Sequence, residues 1–232
     1  MIKILKLNPV RKKFFNGVNK KNLNRIIRIA LRSIKEGRVL VCSTDTVYGL
    51  IADATNKKAV KKLFKIKKRK KDKAIPIFVK DIKMAKKLAE IDKEREKILK
   101  KLWFTRPNFK ETWAGKGKVT VVLKRKKSKV KLYGVDKKTI GLRVPNYKLI
   151  NILLSKLNLP LTGTSANVSG KRASAKIKEV ILQFNSQKNL PDLILDAGNL
   201  KRGLPSTVVD LTKKKPNTLR RGEKIPKLWE IK

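Results

Sequence analysis

Segments with the spacing of amphipathic helices alternate with short apolar segments along most of this sequence, and the connections between them are short. From Leu23 to Ile34, apolar residues recur every three or four positions, which is typical of the buried face of a helix. Val39–Cys42 and Val119–Leu123 are instead short, nearly continuous apolar runs, which favour buried strands. Because helices and strands that alternate cover one another's apolar faces, the pattern predicts one α/β domain.

The same patterns assign the remaining elements. Further helices are predicted at residues 59–64, 82–89, 98–102, 149–157 and 177–184. Further strands are predicted at residues 1–7, 75–79, 139–145, 193–196, 207–211 and 219–223. Pro76 either places its strand at a sheet edge or marks the start of that strand. Ser43–Leu50 is predicted as a hydroxyl-rich turn, and Trp103–Lys118 as a loop.

Composition excludes several classes of protein. The chain has 232 residues, of which 41 % are hydrophobic, and this is enough for one core. No apolar run approaches the roughly 18 residues of a membrane span, and Met1–Leu7 lacks the apolar block of a signal peptide. The lone cysteine, Cys42, excludes an internal disulfide and a cysteine-rich zinc site. The absence of histidine excludes imidazole catalysis and histidine-ligated metals. These features predict a cytoplasmic protein.

The net charge of +45 has two explanations. It would create a surface for RNA, DNA or anionic substrates. It also fits compositional drift, since lysine far outnumbers arginine and isoleucine and asparagine are common, as an AT-rich genome would produce. Under either explanation, the surface should bind polyanions weakly and in a salt-dependent manner.

Leu161–Gly170 carries no charge in a chain that is otherwise rich in lysine. Its small residues leave backbone N–H groups and hydroxyls accessible, and Gly163 and Gly170 allow conformations that are closed to other residues. Such a segment at the end of a strand can surround phosphate or carboxylate oxygens with donors. A turn that only caps the next helix is the alternative.

Polar segments also follow other predicted strands, where α/β folds gather their ligands. They are Ser43–Gly49 and Leu204–Thr207, and a basic segment, Lys67–Lys73, ends a predicted helix. Together with Leu161–Gly170, they would combine hydroxyls, an amide and fixed positive charge, without an evident pair of nucleophile and base. This set suits nucleotides and carboxylates, with catalysis by positioning and charge neutralisation. A solvated helix end is the alternative explanation for Lys67–Lys73.

Five segments, in order along the chain, resemble signatures of the YrdC-like family. Ser43–Leu50 resembles the signature Pro-Thr-Glu-Thr-Val-Tyr-Gly-Leu, and Lys67-Lys68-Arg69 resembles the Lys-x-Arg motif. Ser165-Ala166-Asn167 is similar to the Ser-x-Asn motif. Pro205–Asp210 is similar to the Ser-Thr-Val-Val-Asp strand, and Leu219–Gly222 to the Leu-Arg-Pro-Gly end. One such motif would be weak evidence, but five in order identify the chain as a member of the family.

The resemblance implies a single YrdC-like domain over residues 1–232, with its motifs between residues 20 and 225 and no additional C-terminal domain. The implied fold is a twisted mixed β-sheet with flanking helices and a basic concave active-site cleft. Members of the family are threonylcarbamoyl-AMP synthases, which are nucleotidyltransferases that condense L-threonine, bicarbonate and ATP and release pyrophosphate. A separate transferase complex then moves the threonylcarbamoyl group to adenosine 37 of tRNA.

The resemblance also implies roles for individual residues. Contacts with ATP or the adenylate are expected for Lys67, Arg69, Lys73, Thr120, Ser165, Asn167 and Arg220. Lys67 and Arg69 are expected to be catalytic, because they would neutralise triphosphate charge as pyrophosphate leaves. Threonine is expected to contact Thr46, Lys124 and Ser206. Mg²⁺ is expected to arrive with ATP and not at a metal site of the protein, and no organic cofactor is expected.

The sequence departs from the family pattern at several positions. Lys70 stands where a proline usually follows the Lys-x-Arg motif, and Trp103–Lys118 replaces a Trp-Pro-Gly-Pro segment. Many relatives have histidine where Phe78 stands, so one contact with threonine is expected to be missing. Ala175 stands where some relatives have a hydroxyl residue near the nucleotide.

Two alternatives to a synthase remain open. The first is an RNA-binding module of the same fold without the chemistry, which the basic surface favours and the intact motifs disfavour. The second is a carbamoyl-phosphate-type transfer domain, as in hydrogenase maturation proteins. The lack of zinc-finger cysteines and of an acylphosphatase-like segment argues against the second alternative. The basic surface also suggests contact with tRNA, and no membrane partner is expected.

Overall fold

The computed structural model describes residues 2–7, 20–104, 118–201 and 204–222. These ranges contain six α-helices and eleven β-strands. The helices are α1 Lys20–Lys35, α2 Lys57–Lys67, α3 Ile82–Leu88, α4 Lys93–Trp103, α5 Lys148–Leu157 and α6 Ile177–Asn185. The strands are β1 Lys3–Lys6, β2 Leu40–Ser43, β3 Tyr48–Ile51, β4 Ile77–Phe78, β5 Val119–Lys124, β6 Thr139–Arg143, β7 Leu161–Thr162, β8 Thr164–Ser165, β9 Leu193–Asp196, β10 Thr207–Asp210 and β11 Asn217–Arg220.

The strands form two sheets. The first has the order β1-β9-β2-β3-β8, and the second has the order β11-β10-β5-β6-β4-β7. Each sheet mixes parallel and antiparallel pairs: β1 and β9 are parallel, with Lys3 opposite Leu193, whereas β2 and β3 are antiparallel. The predicted α/β class and mixed strand pairing are therefore confirmed, but the strands are divided between two sheets and not gathered in one.

Each sheet has its own apolar core. In the first core, α1, α5 and α6 contribute buried side chains such as Ile34, Leu153 and Phe184. In the second core, α3 and α4 contribute Met84 and Leu99.

Local sequence signals explain where the helices begin and end. Asn56 caps α2 by accepting a hydrogen bond from the amide of Ala59, and Asp81 and Asp92 cap α3 and α4 in the same way. Gly37 follows α1 with a φ of 74°, a left-handed conformation that glycine adopts without strain. The caps Asn56 and Lys68 thus set the two ends of α2, whose last residue is Lys67.

Several sequence-based expectations need correction. Ser43–Leu50 is not only a turn, because its last residues begin β3. Leu161–Gly170 contains two short strands, β7 and β8, that the sequence patterns did not predict. β4 is paired on both sides, so Pro76 marks the start of the strand and not a sheet edge. Of the predicted loop Trp103–Lys118, residues 105–117 lie outside the described residues, as does residue 223. In the part of the chain that the structure describes, every helix is too short or too polar to span a membrane.

Candidate active site

A cleft of about 1470 Å³ is lined by residues of both sheets. The first sheet contributes Tyr48 and Gly49 from β3, and the second contributes Thr120 from β5 and Arg143 from β6. Nine of the ten predicted site residues line this cleft: Thr46, Lys67, Arg69, Lys73, Thr120, Ser165, Asn167, Ser206 and Arg220. The four polar or basic segments singled out from the sequence therefore meet at one place.

The tenth predicted residue, Lys124, does not line the cleft. It is the last residue of β5, and its side chain is exposed. Thr120, at the start of the same strand, does reach the cleft. Lys124 is therefore not brought together with Thr46 and Ser206, with which it was expected to contact threonine.

Lys67, in the last turn of α2, is buried against the loop that follows β8. Its ammonium donates to the main-chain oxygen of Ser165 at 2.7 Å and to Oδ1 of Asn167 at 2.6 Å. The main-chain oxygen of Asn167 lies 3.1 Å from the same nitrogen. Burial and the nearby guanidinium of Arg69 lower the pKa of Lys67 to about 7. The three oxygens around the ammonium are neutral, and their hydrogen bonds favour its charged form, in opposition to burial and to Arg69.

Asn167 connects the parts of this loop. Its Oδ1 accepts from the hydroxyl of Ser165 at 2.6 Å, in addition to the bond from Lys67. Its amide nitrogen donates to the main-chain oxygens of Val168 and Lys171. These bonds fix the side chains of the Ser-x-Asn motif before any ligand binds, so the two groups are preorganised.

Arg69 is held at the start of the segment that follows α2. Its Nε donates to the main-chain oxygen of Lys73, and one Nη donates to that of Ala74, both at 2.8 Å. Partial burial lowers the pKa of Arg69 from its usual value, but a guanidinium remains charged at neutral pH. The arrangement fixes a permanent positive charge in the cleft wall, which Lys73 also lines.

A second polar group is formed by β5, β10 and β11. The hydroxyls of Thr120 and Ser206 lie 3.1 Å apart, so one donates to the other. Arg220 on β11 donates from Nε and one Nη to the main-chain oxygen of Ser206, at 3.0 and 2.8 Å. Burial and the charge of Arg143 lower the pKa of Arg220. Two guanidinium groups therefore lie near each other beside a pair of hydroxyls.

The turn between β2 and β3 supplies the hydroxyls of the opposite wall. Thr44 donates to the main-chain oxygen of Val47 at 2.7 Å, and its Oγ1 lies 3.1 Å from that of Thr46. The amide of Thr46 donates to the Thr44 hydroxyl, so both threonines are held by the turn itself. This geometry explains why the segment is rich in hydroxyl residues.

Sequence reasoning missed one feature of this wall, an ion pair between Asp45 and Arg143. The carboxylate and guanidinium are 2.6 Å apart, and both side chains are almost fully buried. The second carboxylate oxygen accepts from the amide of Asn146. The sequence offers no sign that Asp45, between two threonines, is the partner of Arg143.

Some of the residues at which the sequence departs from the family pattern also line the cleft. Phe78 and Ala175 line it, whereas Lys70 is exposed outside it. The Phe78 ring packs on Gly163, where an added Cβ would lie 2.5 Å from the ring, so glycine is required. The Arg143 guanidinium carbon is 5.8 Å from the centre of the same ring.

Among the described residues, no three side chains of aspartate, glutamate, cysteine or histidine are grouped closely enough to hold a metal ion. The two carboxylates of the cleft lining, Asp136 and Glu179, each accept hydrogen bonds from neighbouring groups. These bonds keep the pKa values of both carboxyl groups below their usual range.

The cleft thus defines a class of site, one that is lined by fixed cations, hydroxyls and an amide, which are groups suited to an anionic ligand. Residues 32–222 match the profile of the Sua5/YciO/YrdC family, which is described as telomere recombination. The chain belongs to this family. The family predicted from the five ordered motifs is therefore confirmed.

Relatives and a solved structure support the same assignment. The chain is 30 % identical to the putative threonylcarbamoyl-AMP synthase of Methanocaldococcus jannaschii, over 88 % of this chain and 89 % of the relative. It is 33 % identical to the threonylcarbamoyl-AMP synthase of Pyrococcus abyssi, over 84 % of this chain but only 54 % of that longer protein. The crystal structure of P. abyssi Sua5 in complex with L-threonine has a TM-score of 0.72 and 28 % identity, and the match covers 96 % of this chain and 57 % of that one. These names favour the catalytic hypothesis over an RNA-binding module.

Proposed function

We propose that this chain is a threonylcarbamoyl-AMP synthase, which condenses L-threonine, bicarbonate and ATP and releases pyrophosphate. The observation that carries the proposal is the convergence of nine predicted site residues, from segments far apart in sequence, on one cleft. A chain that only kept the fold would have no reason to keep these side chains together with their supporting hydrogen bonds.

The proposed reaction forms two bonds. The threonine amine and bicarbonate give a carbamate with loss of water, and a carbamate oxygen then attacks the α-phosphate of ATP. The bond between the α- and β-phosphates breaks, and pyrophosphate leaves with the bonding electrons. Because no step requires a protein nucleophile, the site can work by holding the reactants in line and neutralising charge.

Fixed positive charge marks the nucleotide side of the cleft. Arg69 presents a planar fork that matches two phosphate oxygens, and Lys73 adds a point charge beside it. The Ser165–Asn167 segment supplies hydroxyl and amide groups that are already in place. Mg²⁺ would enter as part of the substrate, bound to the phosphates of ATP.

Hydroxyl groups mark the threonine side. Thr46 lies on one wall, and Ser206 on the other, hydrogen-bonded to Arg220 through its hydroxyl at 3.0 Å. Since Lys124 lies outside the cleft, the charge partner of the threonine carboxylate would come from Arg220 or Arg143, which both line it. These cations, together with Lys67, Arg69 and Lys73, support the proposal of a basic concave cleft.

The wider setting belongs to the same proposal. The product would serve threonylcarbamoyladenosine formation at position 37 of tRNA, through a separate transferase complex in the cytoplasm. The one domain would suffice for the synthase step, and the basic surface would bring the enzyme near tRNA.

The direct test is pyrophosphate release by the purified protein. We expect release to require ATP, threonine and bicarbonate together, because the α-phosphate is attacked only by the carbamate. Serine should be a poor substitute, since a pocket that grips the threonine methyl group loses about 1–3 kcal/mol without it. Pyrophosphate release that ignores threonine would contradict the proposed function.

Phe78→His tests the departure from the family pattern on the threonine side. The imidazole is smaller than the ring it replaces and would put a hydrogen-bonding nitrogen into the cleft between Gly163 and Arg143. We expect the KM for threonine to fall several-fold, with the KM for ATP unchanged, in steady-state assays. Phe78→Leu, which shortens the side chain without a polar atom, is the control. An equal gain in both variants would mean that space, and not polarity, limits threonine binding.

A further inference from the structure

We infer that Lys67 acts on the nucleotide indirectly, as a positioning residue that holds the Ser165–Asn167 segment in its binding shape, and is not itself a ligand of the phosphates. The inference rests on the proposed function for its ligand and on the contacts of Lys67 for its argument. It assigns the two cations of the Lys-x-Arg motif different roles.

The hydrogen-bonding capacity of the Lys67 ammonium is already filled by the protein. A lysine has three N–H donors. Three oxygens lie within 3.1 Å of Nζ, namely the main-chain oxygens of Ser165 and Asn167 and Oδ1 of Asn167. Each donor therefore already has an acceptor inside the protein. A phosphate oxygen would have to displace one of these bonds and expose a buried polar group, which is unfavourable.

The main chain of Lys67 holds the same segment as its side chain does. Its carbonyl accepts from the amide of Ser169 at 2.7 Å, while its ammonium holds Ser165 and Asn167 on the other side. One residue at the end of α2 thus fixes both ends of the turn that follows β8. Arg69, two positions further on, instead donates to main-chain oxygens of its own segment, those of Lys73 and Ala74.

Without the bonds from Lys67, the segment would have little to hold it in one conformation. Its residues are small, and it leads into Gly170, which has a φ of 87° and open space around its α-carbon. Short polar side chains and glycine impose little conformational preference, so ordering such a turn requires external bonds. The ammonium supplies three such hydrogen bonds at once. It also orients the Asn167 side chain, whose Oδ1 accepts a further hydrogen bond from the Ser165 hydroxyl.

Amide hydrogen exchange in the ligand-free protein separates the two roles. In Lys67→Met, which keeps the apolar stem and removes the donors, we expect the amides of Asn167, Ser169 and Lys171 to exchange roughly tenfold faster or more. Exchange in β5 and β6, which belong to the other core, should not change. Lys65→Met, an exposed lysine of the same helical turn, is the matched control and should leave exchange in the segment unchanged.

Nucleotide binding provides the second readout. The dissociation constants of ATP and AMP should rise by the same factor in Lys67→Met, since a loosened segment receives both. Lys67→Arg keeps a positive charge, but its planar fork cannot direct donors from one nitrogen to three oxygens. We therefore expect Lys67→Arg to resemble Lys67→Met, whereas a phosphate ligand would be largely restored by arginine.

Each other outcome overturns the inference. Unchanged exchange in ligand-free Lys67→Met, with ATP affinity lost, would make Lys67 a direct ligand. Faster exchange throughout the protein would make it a general stabilising residue. Since exchange is measured without substrates, these results stand apart from the proposed function, which fails instead if the wild-type protein releases no threonine-dependent pyrophosphate.

Discussion

Arg69→Ala should nearly abolish pyrophosphate release, lowering kcat/KM by roughly two to three orders of magnitude. Two of the five N–H donors of Arg69 hold the main-chain oxygens of Lys73 and Ala74, so the fork is fixed in the cleft wall and does not have to be ordered by the ligand. Losing such a preorganised contact costs about 2–4 kcal/mol of transition-state stabilisation. Steady-state kinetics with ATP varied at saturating threonine measure the loss.

Lys127→Ala is the matched control for this experiment. Lys127 lies in the exposed basic run after β5, outside the cleft, so its removal should leave turnover nearly intact. Both variants should have the same small effect on bulk RNA binding, because that term is shared among many cations and falls with salt. Equal turnover in the two variants would show that Arg69 is only surface charge and that the proposed site is wrong.

Asp45→Ala should lower the free energy of unfolding by about 3 kcal/mol or more, the largest stability effect expected of a single polar substitution here. The carboxylate and the Arg143 guanidinium are both nearly buried and only 2.6 Å apart. Removing the carboxylate leaves a guanidinium that is only 6 % exposed without this counter-ion. The amide of Asn146 loses its acceptor as well. Urea unfolding followed by circular dichroism gives the value.

An exposed ion pair provides the comparison. Glu36, just beyond the end of α1, lies 2.8 Å from Arg32 and 2.9 Å from Arg38, and these arginine side chains are 84 % and 52 % exposed. Glu36→Ala should therefore change the unfolding free energy by less than about 0.5 kcal/mol. If Asp45→Ala were equally mild, the buried pair would not be what holds the turn between β2 and β3 against β6.

The helices were predictable because each carries its own periodic apolar face, and the caps at Asn56, Asp81 and Asp92 are local signals. The division into two sheets was not predictable, since strand pairing depends on segments far apart in sequence. The short strands β3, β7 and β8 were missed for a related reason. β3 has four residues and β7 and β8 have two each, which is too few to show a period, and their pairing with β2, β3 and β4 defines them as strands.

The candidate site was predictable as far as motifs reach. The resemblance named nine residues that meet in the cleft, but it also placed Lys124 there. Lys124 shares a strand face with Thr120, yet it lies four residues further on, about 13 Å along the strand, which is enough to carry it past the cleft. The pair of Asp45 and Arg143 left no trace in the sequence, because a buried ion pair has no spacing rule when its members come from different sheets.

The first sheet also has a consequence for how the chain folds as it is made. β1 pairs with β9 in parallel, with Lys3 opposite Leu193, and β9 is also the neighbour of β2. β1 leaves the ribosome long before β9, and it must therefore wait for β9 before this pairing can form. Contacts so distant in sequence form slowly, because a long loop must close before they stabilise anything. The N-terminal strand should be the part of this sheet most dependent on chaperones during synthesis.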